Sequence, residues 1–114
     1  MILADFSGAS VEPVSHNEQI QKHVLLRKGQ CANIMQLARS VFPPGETVSA
    51  HVHEDMVEVF MVREGAGQIV VNDEPHSLRK DACVVIESGE VHALVNTGEV
   101  QLVIDYFGLQ ISNT

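Results

Sequence analysis

Gly45-Glu46-Thr47-Val48-Ser49-Ala50-His51-Val52-His53-Glu54-Asp55-Met56-Val57-Glu58-Val59-Phe60-Met61-Val62-Arg63-Glu64-Gly65 carries two kinds of order at once. His51 and His53 stand one residue apart, so on a β-strand both imidazoles project from the same face. Val57 to Val62 is an apolar run with one carboxylate, Glu58, set into it, and it reads as the next strand. Further along, His92 follows another apolar run and has Asn96 behind it. Three histidines and a carboxylate from separate strands are the donors that hold a divalent transition metal. Nothing else in the chain supplies obvious reactive chemistry.

Outward from this stretch the punctuation stays β-like. Turn clusters at Lys28-Gly29-Gln30, Pro43-Pro44-Gly45, Glu64-Gly65-Ala66-Gly67, Asn72-Asp73-Glu74-Pro75, Glu87-Ser88-Gly89 and Asn96-Thr97-Gly98 separate short runs of Val, Ile, Leu and Phe. That spacing favours an all-β sandwich or barrel over alternating helices and strands. The expected strands are His23–Arg27, Ile34–Phe42, Val48–His53, Val57–Val62, Gln68–Val71, His76–Leu78, Ala82–Ile86, His92–Val95 and Val100–Phe107. Asn72-Asp73 reads as a hairpin tip with Pro75 ending one side. The polar stretch Ser7 to Gln21 is open to coil, a short helix or an exchanged arm. The organisation expected is an N-terminal arm with the first strand or strands over 1–33 and a barrel over 34–114, together one domain.

Alternation fixes which residues travel together. If Glu58 faces the interior, so do Phe60 and Val62, while Val57, Val59 and Met61 face away; an inward His92 brings Leu94 and Asn96 with it. The inner face then mixes polar donors with large apolar side chains, as the inside of a small ligand-binding barrel should. The outer set is apolar too, which implies cover by another layer or by a partner subunit.

Composition narrows the function. With 114 residues there is room for one core. Aromatics are only 4% and Trp is absent, so Val, Ile, Leu and Met must build that core. A formal charge of −8 with seven scattered Lys and Arg leaves no basic stripe, which argues against nucleic acid and anionic membrane as partners. Cys31 and Cys83 form no Cys-x-x-Cys pair, so a thiolate zinc site or redox dithiol has no support. Cys83, within Ala82-Cys83-Val84-Val85-Ile86, reads as core. The N-terminus has no secretion-signal pattern and no apolar stretch reaches membrane-spanning length, so a cytoplasmic protein is expected.

Gly45, His51, His53, Glu58 and Gly65 together resemble the first motif of the cupin superfamily, with each spacing in place. Gly89, His92 and Asn96 resemble most of the second. The fifteen-residue gap between the motifs, Ala66 to Lys80, is similar to that of small single-domain bacterial cupins. The resemblance implies a double-stranded β-helix of jelly-roll type, with metal ligands at His51, His53, Glu58 and His92, and a homodimer. Two positions depart from the pattern: Asp81 stands where the second motif opens with glycine, and Glu87 where it has proline. Neither is a ligand position. Without the proline the turn at Glu87-Ser88-Gly89 should be less rigid.

Three imidazoles and one carboxylate leave two open positions on an octahedral ion and suit Fe(II), Mn(II), Ni(II), Co(II) or Zn(II). Asn96 is a candidate to hold an imidazole's second nitrogen. Glu54 is a nearby competing carboxylate, but it follows His53 directly and would face the other way on a regular strand. His16, His23 and His76 read as ordinary polar residues, His76 in a proline-containing turn. Gln36, Arg39 and Tyr106 are candidates to handle a small-molecule ligand. Arg39 could clamp a carboxylate or phosphate, and is as readily a surface cation on an acidic protein. Two functions fit: a metal-dependent enzyme acting on a small polar metabolite by oxygenation, isomerisation, epimerisation or lyase chemistry, or a non-catalytic barrel that senses or sequesters a small molecule.

Overall fold

Period-two burial organises nearly every element of the computed structural model, which describes residues 1–15 and 17–111. The reading of His16 lies outside the described residues. After one turn of 3-10 helix at Phe6–Gly8 come ten strands: β1 Ser10–Val14, β2 Asn17–Leu26, β3 Ile34–Phe42, β4 Thr47–His51, β5 Met56–Glu64, β6 Ala66–Val71, β7 Glu74–Arg79, β8 Cys83–Ile86, β9 His92–Val95 and β10 Leu102–Gln110. They form a six-stranded sheet ordered β1-β2-β3-β10-β5-β8 and a four-stranded sheet ordered β4-β9-β6-β7. All the pairings are antiparallel. The two sheets form a jelly roll, the all-β class expected.

The core lies between the sheets. Phe42, Phe60, Ile104 and Ile20 from the larger sheet are buried together with Ile69, Leu78 and Leu94 from the smaller. The alternation expected for β5 holds: Glu58, Phe60 and Val62 are buried, whereas Met61 is exposed. On β9 and just beyond it His92, Leu94 and Asn96 are all buried. Burying this many large aliphatic side chains, at roughly 1.5–3 kcal/mol each, is what makes a core with only Phe42 and Phe60 as buried aromatics sufficient.

Turn chemistry sets the corners. Asn72 and Asp73 both adopt positive φ, 48° and 68°, the two-residue type I′ geometry that joins β6 to β7. Asp81, at the position where the motif carries glycine, keeps a left-handed φ of 73°. An Asp tolerates that conformation better than most side chains, so the turn survives the substitution. Glu87 replaces the motif's proline without loosening its turn, because its N–H donates to Glu90 Oε1 at 2.8 Å, a bond proline could not make. Gly65, where the chain leaves β5 for the other sheet, has φ 81°, and a Cβ there would collide with the Gln101 carbonyl.

Four expectations are corrected. Ser7 to Gln21 is neither an exchanged arm nor coil: β1 and β2 form a hairpin that docks on the edge of β3. Ile20, in that segment, is completely buried in the core. Pro75 does not end a strand but lies within β7, paired with Val70. That is tolerated because β7 is an edge strand whose outer N–H groups need no partner. His76 therefore sits in β7, exposed, rather than in a turn. Cys83 is exposed, because Val84 and Ile86 take the inward parity of β8. Among the described residues no helix is long and apolar enough to cross a membrane.

Gly65→Ala should lower unfolding stability by about 2 kcal/mol or more, from the left-handed backbone and the carbonyl contact combined. Urea denaturation followed by circular dichroism measures it; an unchanged midpoint would refute the account of this corner.

Candidate metal centre

His51 ends β4 and stands opposite His92 of β9 in the register of the smaller sheet. The pairing shifts between Val48 and His51. That irregularity has a consequence, because Val48 and His51 are an odd number of residues apart yet both line the same cavity. His53 lies just past the strand end, in a loop tied down from outside: Gly89 N–H donates to its carbonyl at 2.9 Å, and Ser88 Oγ donates to the Glu54 carbonyl at 2.8 Å. Glu58 arrives from β5 on the opposite sheet. One ligand atom from each of His51, His53, Glu58 and His92 lies within 4.8 Å of all the others. Glu54, the competing carboxylate, is exposed and stands outside this cluster.

The hydrogen bonds set the ring orientations. His51 Nδ1 sits 2.9 Å from the Ser49 carbonyl and His92 Nδ1 sits 3.0 Å from the Glu90 carbonyl. A carbonyl only accepts, so both Nδ1 atoms carry the proton and each Nε2 lone pair is left for the centre. His92 Nε2 lies 3.0 Å and His53 Nε2 lies 3.4 Å from Glu58 Oε1. Two imidazoles thus share one carboxylate oxygen.

Burial and charge push the two opposed histidines apart. For His51 burial dominates and lowers the pKa, aided by the neighbouring imidazoles, against the pull of the Ser49 bond and Glu58. For His92 burial is again the largest influence and acts downward, but the bonds to Glu58 and Glu90 and their charges outweigh it and leave the pKa raised. The two imidazoles thus lean in opposite directions, His92 toward its protonated form beside Glu58 and His51 toward its neutral form.

The cluster opens on a cavity of about 360 Å³ between the sheets. Its walls are largely apolar, with Phe42, Val48, Phe60, Leu94 and Ile104 among them, and its polar side chains beyond the donors include Lys22, Gln36, Ser40 and Tyr106. Tyr106 stacks on Phe60 with ring centroids 5.7 Å apart. Burial, against a hydrogen bond with Ser40, raises its phenol pKa, so it stays protonated at neutral pH.

Of the ligand-handling candidates, Gln36 and Tyr106 line this cavity. Arg39 does not: it projects from the other face of β3, paired in two bonds of 2.6 and 3.0 Å with Asp105 and stacked over the Phe6 ring at 4.0 Å. Asn96 does not reach an imidazole either. Its amide donates to the carbonyls of Phe42 and Val100, each at 2.9 Å, and accepts from Gly98 N–H at 2.9 Å. It locks the β9 end to the chain entering and leaving the neighbouring strands. The partners it was expected to supply are the Ser49 and Glu90 carbonyls, and a backbone atom has no signature in sequence. Lys22, Ser40 and Met56 also line the cavity unannounced. The facing of the Ile34–Phe42 strand that carries Ser40 was left open, and Lys22 falls between the polar stretch ending at Gln21 and the expected strand beginning at His23.

Two facing antiparallel sheets with imidazole and carboxylate donors gathered at one end of the space between them define a small cupin-type barrel. A family model described as a cupin domain matches residues 38–107, and the chain belongs to that family. The oxalate-binding protein of Thermotoga maritima is 29% identical over 80 residues, covering 70% of this chain and 66% of that protein. Protein SchB of Streptomyces halstedii is 36% identical over 62 residues, covering 54% of this chain and 45% of that protein. The matches thus span less than two thirds of either curated relative. Among solved structures, a predicted oxalate decarboxylase from Thermotoga maritima superimposes with a TM-score of 0.87 at 23% identity, covering 96% of this chain and 100% of that one.

In metal-free protein, NMR titration should place the His92 imidazole above the ordinary histidine range and His51 below it. Glu58→Gln should reverse the His92 shift, since burial is then opposed by a weaker partner. A His92 pKa unmoved by that substitution would contradict the assigned contact.

Proposed function

We propose that this chain is a metal-dependent enzyme that binds one divalent transition ion through His51, His53, Glu58 and His92 and acts on a small oxygen-rich metabolite. The observation that carries the reading is the convergence of three imidazoles and a carboxylate from three separate segments beside a largely apolar cavity. The donor chemistry fits an ion: the Nδ1 atoms of His51 and His92 are spent on backbone carbonyls, and Nε2 of His92 and of His53 lies 3.0 and 3.4 Å from Glu58 Oε1. Fe(II), Mn(II), Ni(II), Co(II) and Zn(II) all suit such a set, and the absence of thiolates speaks against a purely structural zinc.

When bound, such an ion supplies a Lewis acid with open positions, able to polarise a carbonyl or carboxylate or to bind oxygen. The chain's own residues supply the remainder. Phe42, Phe60, Leu94 and Ile104 exclude water from the space beside the donors, which strengthens polar contacts made there. Tyr106, held protonated, can donate a hydrogen bond to a ligand oxygen or pass a proton to it. Its position on the Phe60 ring fixes the direction of that donor.

A non-catalytic binding role is the second reading, and one observation favours it. Among the described residues lining the cavity, each histidine and carboxylate is also a member of the donor cluster, so no spare side-chain base remains once an ion is held. The curated relative named as an oxalate-binding protein points the same way. Turnover in a screen of small hydroxy and oxo acids would favour the enzyme; ligand-dependent stabilisation without product would favour the binder.

Protein purified without a histidine tag should contain one equivalent of metal, and His51→Ala/His92→Ala should lose the metal and any activity together, measured below its lowered unfolding midpoint where β circular dichroism verifies that it is folded. Elemental analysis showing stoichiometric metal in that double variant would remove the assignment. A homodimer is also proposed, supported by the apolar outward face where Met61 and Val85 are exposed on adjacent strands. Light scattering should give twice the 12.5 kDa chain mass; a monomer at micromolar concentration would count against it.

A further inference from the structure

The cavity has a second polar feature far removed in sequence from the donor cluster. Lys22, inward on β2, is paired in register with Ser40 of β3, and both line the same space as His51, His53 and Glu58. It is the one cationic side chain among the described residues that do so. Its side chain is only 17% exposed. An ammonium has three N–H donors. Here one reaches Gln36 Oε1 at 3.3 Å, and Glu12 is a loose partner at 3.7 Å whose carboxylate is already bound by Arg27 at 3.0 Å. A largely buried ammonium with donors to spare, beside a side-chain amide that can turn with it, is a built receptor for an anion.

Apart from the donors, Lys22, Gln36 and the hydroxyls of Ser15, Ser40 and Tyr106, the walls are hydrocarbon. A cavity of about 360 Å³ is in the range that encloses a molecule well beyond two carbons. A ligand confined to the donor cluster would leave that apolar volume wet and Lys22 with only Gln36 and the loosely paired Glu12. A phosphate dianion normally recruits more than one cation, and Lys22 is alone, so the anion it suits is a carboxylate.

Resting on the metal-centre reading above, we infer that the ligand is a two-ended acid: an oxo- or hydroxy-carboxylate head that chelates the ion, an apolar chain or ring along Phe42, Phe60 and Ile104, and a second carboxylate held by Lys22 and Gln36.

The test uses the full chain loaded with Co(II), its metal content fixed by elemental analysis and its visible absorption used as the binding signal. Straight-chain 2-oxo diacids of five to eight carbons are titrated against 2-oxo monoacids of the same lengths, with oxalate alongside. At one length or more the diacid should bind at least about tenfold tighter than its monoacid, the effect of one charge-assisted contact in a shielded site. Lys22→Met should abolish that preference without changing monoacid affinity or cobalt content, and Lys22→Arg should restore part of it. Equal affinities at every length in the native protein, oxalate as the tightest ligand, or a diacid preference surviving in Lys22→Met would each overturn the inference. Failure to take up Co(II) would instead defeat the metal-centre reading, and this inference with it; full cobalt loading with no diacid preference would defeat this inference alone.

Discussion

A carboxylate reaching across the barrel to an imidazole on the opposite sheet is the contact on which the rest of this structure depends. Glu58 belongs to the six-stranded sheet and His92 to the four-stranded one, and their side chains meet at 3.0 Å with both residues buried. Breaking such a pair by removing one partner typically costs about 3–5 kcal/mol, because the survivor is left buried without compensation. A core of 114 residues tolerates this only because everything nearby is committed to it. His53 shares the same carboxylate oxygen, and the Glu90 carbonyl holds the far side of the His92 ring. The loop carrying His53 is in turn stitched to the turn before His92 through Gly89 and Ser88. The two motifs are therefore one mechanical unit, although the fifteen residues from Ala66 to Lys80 separate them.

That unit explains how far the sequence could be read. Strand identity and facing were legible wherever one buried polar residue sat in an apolar run, since period two then assigns every neighbour. Ile34–Phe42 and His92–Val95 match their expected limits, and the inward sets Glu58, Phe60, Val62 and His92, Leu94, Asn96 follow from parity alone. The donor cluster was legible for the same reason. Three kinds of feature were not. The β1–β2 hairpin has weak alternation and owes its pairing to the open edge of β3, a tertiary cause. The irregularity between Val48 and His51 breaks the parity on which such readings rely. The bonds orienting His51 and His92 end on backbone carbonyls, which every residue possesses.

Asn96 and Arg39 show the same limit from the other side. Each is the right chemical type for a role at the site, and each is occupied elsewhere. The Asn96 amide satisfies three backbone groups that would otherwise be unpaired around the end of β9. Arg39 is one position away from Ser40, which does line the cavity, and that single step puts it on the outer face against Asp105. On a pleated strand residue type matters less than parity. The departures at Asp81 and Glu87 make the complementary point. A left-handed aspartate between β7 and β8 and, in the turn that anchors the His53 loop, an N–H of Glu87 bonded to Glu90 stand where the motif has glycine and proline, so both turns form with different chemistry.

The charge pattern bears on what the cavity can accept. The chain carries a formal charge of −8, which would repel an acid approaching in low salt. Surface charges farther than about 8 Å from the ligand are largely screened at physiological ionic strength, whereas groups inside the barrel are not. Inside, neutral imidazoles and a single carboxylate would leave a divalent ion with one net positive charge. Lys22 adds another, and Glu12 beside it is already shared with Arg27. With an ion held, the interior would be a cationic island in an acidic protein, and Lys22 its second positive point. An acid with one anionic end would satisfy only one of them, and a cation neither. The proposed selectivity, for molecules with negative charge at both ends of an apolar body, follows from that pairing, and an acidic exterior would limit nonspecific binding of polyanions.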